Sequence, residues 1–351
     1  MTRRLNPQRV TLRNIAEKVG YTPNTVSRAL KDKDDIGVET RKRIQEVAKE
    51  MGYIRDTIAG SLRSGLTKTM AVVLGDISNP HFSIMVKEME SCARKQSYNT
   101  IILNTDEDAG LEREALVSAL GRKVDGIILC PTQDSIENVM FLKHQNVPFV
   151  LIGRYFDDVD VDSVVCDDVN GGWEATKHLI GLGHRQILFL NGPMKISSAR
   201  ERLQGYRNAL VAEGIDFHSE LVWEVPIVAG DCRKIIDRIV KEKVEFTAII
   251  AFSDLIAWEA MYALHLHGLE FSRDYAVIGF DNTQSKFFFP YPITSVGSSK
   301  STMARMAVNL LMKNLSSAKA STPGRHVLAT KLIIRKSSLP RDLIPLHGLS
   351  G

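Results

Sequence analysis

A run of polar residues near the amino terminus offers the first chemistry in this sequence. Thr22, Pro23, Asn24, Thr25, Ser27 and Arg28 lie close together and carry hydroxyl, amide and guanidinium groups. Such groups donate to phosphate oxygens and pair with base edges in a DNA groove. For several of them to face outward together, they must sit on the second helix of a helix-turn-helix, after a short first helix and a tight turn. A three-helix interaction module with solvated polar residues fits the same pattern. Other chemistries lack their residues. His265-x-His267 reads as helix, where i and i+2 face apart and cannot share a metal. Gly181-x-Gly183 precedes a β-rich run, the wrong side for a dinucleotide loop. No Gly-x-x-x-x-Gly-Lys-Ser/Thr and no Gly-x-Ser-x-Gly occurs. The expectation is a protein that is not an enzyme, with no cofactor and no metal.

The elements that must hold these groups are legible. Thr11 can N-cap a helix whose apolar face is Leu12, Ile15, Ala16 and Val19. Gly20-Tyr21 makes the turn. Thr22 can N-cap a second helix, with Pro23 at the first position, where a missing N–H costs nothing. Val26, Ala29 and Leu30 face inward. After the charged loop Lys31–Asp35, Ile44, Val47, Ala48 and Met51 stripe a third helix over about 38–51, which Gly52 ends. Charge follows the same division. Residues 1–66 hold 14 Lys and Arg against 8 Asp and Glu, whereas the rest holds 31 against 33. All the excess positive charge therefore lies in the first fifth of the chain, as a polyanion-binding head would require.

From Met70 the pattern becomes short β-rich runs alternating with amphipathic helices. The runs are Met70–Leu74, Thr100–Leu103, Gly126–Cys130, Phe149–Ile152, Val164–Cys166, Ile187–Leu190, Ala248–Phe252 and Ala276–Phe280. The helices between them include Phe82–Lys95, Glu112–Leu120, Gly172–Leu182, Ala199–Glu213, Cys232–Lys241 and Leu255–Leu266. Such alternation implies parallel sheets covered on both faces. There are too many units for one sheet, so two doubly wound subdomains are expected. An internal echo supports this: Met70–Lys95 and Gln186–Glu213 each read strand, polar loop, long helix. Two facing subdomains place a ligand cleft at their strand carboxyl ends. The segment 57–69 reads as a hinge and linker, too short to be a stable helix alone.

The 351 residues allow two or three domains, and 44% apolar with 25% charged content is ordinary for a globular chain. No stretch approaches the ~20 apolar residues that span a bilayer, and the basic start Met1–Arg9 lacks an apolar signal core. A cytoplasmic protein is expected. Cys92, Cys130, Cys166 and Cys232 are widely spaced and read as small buried hydrophobes, not a disulfide framework.

The segment Val10–Leu30, in full Val-Thr-Leu-Arg-Asn-Ile-Ala-Glu-Lys-Val-Gly-Tyr-Thr-Pro-Asn-Thr-Val-Ser-Arg-Ala-Leu, resembles the headpiece signature of the lac repressor family of bacterial transcription regulators. The likeness continues through Thr40-Arg41, Met51-Gly52-Tyr53 and Leu62, then through Asp76–Phe82, Lys123–Leu129, Leu182–Gly192, Arg202–Leu210 and Gly279–Asp281. It implies an all-α helix-turn-helix headpiece over 1–56 and a periplasmic-binding-protein-like α/β core of two doubly wound parallel-sheet subdomains over 70–340. One subdomain would span about 70–165 plus 297–325, the other about 166–296 plus 326–340, leaving a tail at 341–351. Pro23, Asn24 and Arg28 match the family's base-reading positions. Thr11, Thr22, Thr25, Ser27, Thr40 and Tyr53 match positions that usually touch phosphates. Leu62 matches the leucine that wedges into the minor groove, with Ala59 packed beside it. Departures are present: Ile54-Arg55-Asp56 follows Tyr53 in place of the common x-Pro-Asn, Lys31 stands where Asn is common and would add a phosphate contact, and Asn14 replaces the usual Asp.

For the cleft, the resemblance points at Arg202, Asp281 and Ser253, the last in place of the Asn of several sugar-responsive relatives. The chemistry agrees, because a polyhydroxylated ligand needs a guanidinium fork and a carboxylate that accepts paired hydroxyls. A structural salt bridge between cleft walls would use the same two charged residues. Asp76, Phe82, Arg154, Asp168 and Trp258 are further cleft candidates, with a core role open to Phe82 and Trp258. Ile196 stands where purine-responsive relatives have Arg, which favours a sugar or sugar phosphate effector. Phe287–Pro290 reads as core or crossover packing, with a cleft lid as the alternative. The implied function is a regulator, commonly a repressor in this family. It would bind a pseudo-palindromic operator as a homodimer under control of a small carbohydrate. The rival is a solute-binding receptor of the same two-lobed fold, which would carry a secretion signal and no basic head.

Overall fold

The computed structural model describes residues 10–54, 65–227, 230–285, 291–316 and 322–339. Ala59, Leu62, Arg55-Asp56, Phe287–Pro290 and the tail 341–351, for which the sequence gives expectations, lie outside them. The chain divides into two units, Met1–Thr67 and Lys68–Gly351.

Among the described residues the first unit holds three helices, α1 (Leu12–Val19), α2 (Pro23–Ala29) and α3 (Val38–Glu50). Thr11 and Asn14 form a reciprocal capping box: Asn14 N donates to Thr11 Oγ1, and Thr11 N donates to Asn14 Oδ1 at 2.9 Å. The unusual Asn14 thus keeps the cap that an acid would make. Gly20 ends α1 at φ 78°, a left-handed conformation that favours glycine. Ile15, Ala16, Val19, Val26, Ala29, Ile44 and Ala48 form the buried core. Gln45 locks α3 to the end of α2 by donating to Ala29 O at 3.2 Å and Asp32 Oδ1 at 2.8 Å.

The second unit holds two six-stranded sheets. Its elements in order are β1 (Thr69–Leu74), α4 (Pro80–Lys95), β2 (Asn99–Asn104), α5 (Ala109–Gly121), β3 (Gly126–Leu129), α6 (Glu137–His144), β4 (Phe149–Ile152) and β5 (Ser163–Cys166). Then come α7 (Asp168–Gly181), β6 (Ile187–Asn191), α8 (Ser197–Ala212), β7 (Val222–Glu224), α9 (Cys232–Lys241), β8 (Ala248–Ala251), α10 (Asp254–Leu266) and β9 (Ala276–Phe280). Last are β10 (Thr294–Gly297), α11 (Lys300–Ser316), β11 (Arg325–Leu328) and β12 (Lys331–Ile333). The first sheet runs β11-β5-β4-β3-β1-β2 and the second β12-β10-β9-β8-β6-β7. The two orders are the same permutation, so β1–α4 and β6–α8 occupy equivalent places, as the sequence echo implies. All recorded pairings are parallel except β10 with β12.

The chain crosses between lobes after β5, after β10 and after β11. The last crossing comes later than the expected 325, because Arg325–Leu328 pairs with Ser163–Cys166 in the first sheet. The crossings are bound together: Cys166 Sγ lies 2.9 Å from Ser298 Oγ, and Asp167 N donates to Leu328 O at 2.9 Å. Cys130 and Cys232 are buried, whereas Cys92 and Cys166 are half-buried and pack against the first lobe's core.

Candidate functional site

On the head, α2 presents its polar residues as a set. Thr22 Oγ1 caps α2 by accepting from Thr25 N at 3.2 Å and lies 2.9 Å from Thr25 Oγ1. Pro23, Asn24, Arg28 and Lys31 are exposed, as is Thr11 at the cap of α1, whereas Thr25, Ser27, Thr40 and Tyr53 are half-buried. The Tyr53 ring packs on the head core. Arg28 is not free: its guanidinium is ion-paired with Asp35 in the charged loop. Sequence spacing does not reveal that pairing, because the loop has no period from which to read it.

The second site lies between the sheets. Asp76, Asn79, His81, Phe82, Asp106, Glu107, Cys130, Gly153, Arg154, Ser198, Arg202, Ile227, Phe252, Ser253 and Asp281 line one cleft of about 170 Å³. The lining residues follow the carboxyl ends of β1, β2, β3 and β4 in one lobe and of β6, β7, β8 and β9 in the other. Open parallel sheets leave their loops and helix N-termini at that edge. Of the sequence candidates, Asp76, Phe82, Arg154, Arg202, Ser253 and Asp281 all line this cleft. Asp168 lies behind it, and Trp258 packs on the second lobe's core, its Nε1 donating to Tyr291 O at 3.4 Å. Ile196 is fully buried in that same core and faces no ligand space.

Arg202 is held at two of its three guanidinium nitrogens. Its Nε donates to Asp168 Oδ1 at 2.8 Å and its Nη1 donates to Phe252 O. The guanidinium lies between Phe252 and Phe280, 4.5 and 4.2 Å from the ring centroids. This seat depends on how tightly α7 and α8 pack. A Cβ on Gly172 would fall 2.2 Å from Arg202 O, and one on Gly205 would fall 2.1 Å from Val169 O. Only glycine at both crossings lets the two backbones touch and so brings Asp168 to Arg202.

Arg202 and Asp281 therefore do not bridge the walls, since both belong to the second lobe. Asp281 instead faces across the cleft to His81, whose Nδ1 lies 3.1 Å from Asp281 Oδ1. That approach is at ion-pair distance but off the line of a hydrogen bond, leaving the buried His81 Nδ1 without a hydrogen-bond partner. Burial alone would push the Asp281 carboxyl up. His81, Arg202 and Lys300 outweigh it and hold the group well below the usual carboxylate range. Just behind, Asp254 accepts from Ser295 Oγ at 2.6 Å and Thr283 N at 2.7 Å. Burial, reinforced by Asp281, pushes its pKa up to about 7.

In the first lobe, Arg154 clasps Glu107 with both arms, Nη1 to Oε2 at 2.7 Å and Nη2 to Oε1 at 2.9 Å. The same Nη1 donates to Pro131 O at 2.8 Å. Ser253 N-caps α10, its Oγ accepting from Ile256 N at 3.2 Å. Tyr155 OH reaches Glu201 of the other lobe at 2.6 Å, and Ser197 N donates to Gln133 Oε1 at 2.8 Å. His81, Asp106, Glu107 and Phe252 are cleft residues that sequence reasoning missed. Each follows a strand end, and that position was the available signal.

A helix-turn-helix head joined to a two-lobed core with a cleft at facing strand ends defines a class of regulator. Residues 11–56 match the family described as "Bacterial regulatory proteins, lacI family", and residues 67–336 match "Periplasmic binding proteins and sugar binding domain of LacI family". The chain belongs to the lacI family of bacterial transcriptional regulators. It is 29% identical over 349 residues to the HTH-type transcriptional regulator DegA of Bacillus subtilis, covering 97% of this chain and 98% of that protein. Among solved structures it is similar to the transcriptional regulator CelR–cellobiose complex, with a TM-score of 0.71, 28% identity and coverage of 94% and 100%. It shares its fold with the lac repressor dimer bound to operator and the anti-inducer ONPF, with a TM-score of 0.82, 23% identity and coverage of 95% and 100%. Its relatives are transcriptional regulators, not enzymes. Among the described residues no helix is long and apolar enough to cross a membrane.

Proposed function

We propose that this protein is a cytoplasmic, homodimeric repressor that binds a pseudo-palindromic operator and responds to a carbohydrate held in its cleft. Pro23, Asn24 and Arg28 read bases. Thr11, Thr22, Thr25, Ser27, Lys31, Thr40 and Tyr53 position the head on phosphates, and Leu62 with Ala59 enters the central minor groove. Asp76, Phe82, Arg154, Arg202, Ser253 and Asp281 bind the effector. The observation that carries the reading is the convergence of those six residues, from strand ends of both lobes, on one cleft in a chain with a helix-turn-helix head. A ligand touching both walls favours one lobe arrangement over another, and operator affinity changes by that difference in binding free energy. The test is selection of random duplexes by the full-length protein near physiological salt. Enrichment of a pseudo-palindrome with a flexible central CG step is expected. Enrichment of no sequence, with or without added cell extract, overturns the reading.

A further inference from the structure

We infer that this cleft excludes anions and takes an uncharged or amino-bearing sugar, not a phosphorylated or acidic one. This deepens the carbohydrate reading above and rests on it. Some charges in the cleft are balanced by a partner and others are not. Two arginines line it, and neither has a free cation to offer. Arg154 has both arms on Glu107, with Pro131 O taking a further N–H. That seat is built in, because a Cβ on Gly75 would fall 2.1 Å from Glu107 Oε1. Arg202 is neutralised by Asp168, with its Nη1 on Phe252 O and the Phe252 and Phe280 rings beside it. A phosphate would meet only guanidinium groups whose charge a buried carboxylate already balances, and drawing either one away would strand that carboxylate at a cost far above that of an exposed ion pair.

The carboxylates are less well matched. Asp76 accepts only from Ser78, N and Oγ each at 2.8 Å, and Asp106 accepts from Asn104. Among the described residues neither has an ion-pair partner, while of the other two acids of the lining Glu107 is taken by Arg154 and Asp281 faces His81. Asp281 is matched by His81 and by Lys300, which donates to the Asp281 backbone carbonyl, so the charge left without a partner is that of Asp76 and Asp106. The balance available to a ligand is therefore negative. Carboxylates accept from hydroxyls and ammonium groups and repel phosphate. Phe82 and Phe252, one on each wall, give apolar faces for the C–H side of a sugar ring.

The test measures binding to the full-length protein by calorimetry and thermal shift. The probes are sets in which one sugar is presented plain, phosphorylated and aminated: glucose, glucose 6-phosphate and glucosamine; ribose and ribose 5-phosphate; galactose and galactosamine; with cellobiose alongside. For any sugar that binds, the plain or aminated form should bind at least about tenfold more tightly than its phosphate. The doubly neutralised variant Asp76→Asn/Asp106→Asn should shrink that ratio to about threefold or less. Tighter binding of a phosphorylated sugar than of its parent overturns this inference while leaving a carbohydrate effector standing. An unchanged ratio in the double variant overturns it too. Binding of no sugar of any charge overturns the carbohydrate reading and the inference together.

Discussion

Replacing Gly205 by alanine tests the account of how the cleft arginine is seated. The new Cβ would sit 2.1 Å from Val169 O, 2.7 Å from Trp173 N and 3.0 Å from Gly172 C, all backbone atoms of α7. No side chain can swing aside, so α7 and α8 must part by about 1 Å to restore ordinary contact, and a gap of that size loses a quarter to a half of each dispersion contact along the seam. Overpacking of this kind costs about 3 kcal/mol when nothing yields, while alanine in a helix returns about 1 kcal/mol over glycine. The net is a loss of about 2 kcal/mol, which lowers the melting temperature by about 4–8 °C. Gly181→Ala is the internal control, since a Cβ at that α7 position meets nothing within 4 Å. It should melt at or slightly above the parent. Scanning calorimetry of the three proteins decides the matter. If Gly205→Ala matches or exceeds the parent, the close-approach argument fails, and with it the reason given for the Asp168–Arg202 contact.

Arg202→Met should destabilise the protein by about 3 kcal/mol or more, because Asp168 is left buried and unpaired; the double variant Asp168→Asn/Arg202→Met should recover most of the urea midpoint without recovering effector response. Asp254 predicts a pH dependence: its native pKa, up at about 7, exceeds the usual 3.8, so the native state binds more protons between those values. This group's contribution to stability is full below about pH 4 and declines towards pH 7 at up to about 1.4 kcal/mol per unit. Asp254→Asn should flatten that slope, and an unchanged slope would show that the carboxyl ionises elsewhere. Thr22→Ala removes the cap of α2 and should cost about 1 kcal/mol, read as a roughly fivefold loss of hydrogen-exchange protection at α2 amides in the full chain.

Local patterns decided much of this protein. A threonine cap three residues before a second capable hydroxyl, proline at the first helical position and glycine at a left-handed turn specify α1 and α2 without reference to anything distant. Strand–helix alternation likewise specifies parallel sheets, and a parallel sheet specifies which edge carries the functional loops. That is why Asp76, Arg154 and Asp281, each of which follows a strand, line one cleft. What the sequence alone could not decide is which charged residue meets which. Arg202 finds Asp168 only because Gly172 and Gly205 let α7 touch α8. Asp281 meets His81 only because two lobes, built from segments far apart in the chain, face each other across the cleft. Arg28 finds Asp35 through a loop with no period. Backbone period is a short-range property set by sterics and burial of one face, whereas ion pairing depends on distances of a few ångströms between groups that only tertiary packing brings together.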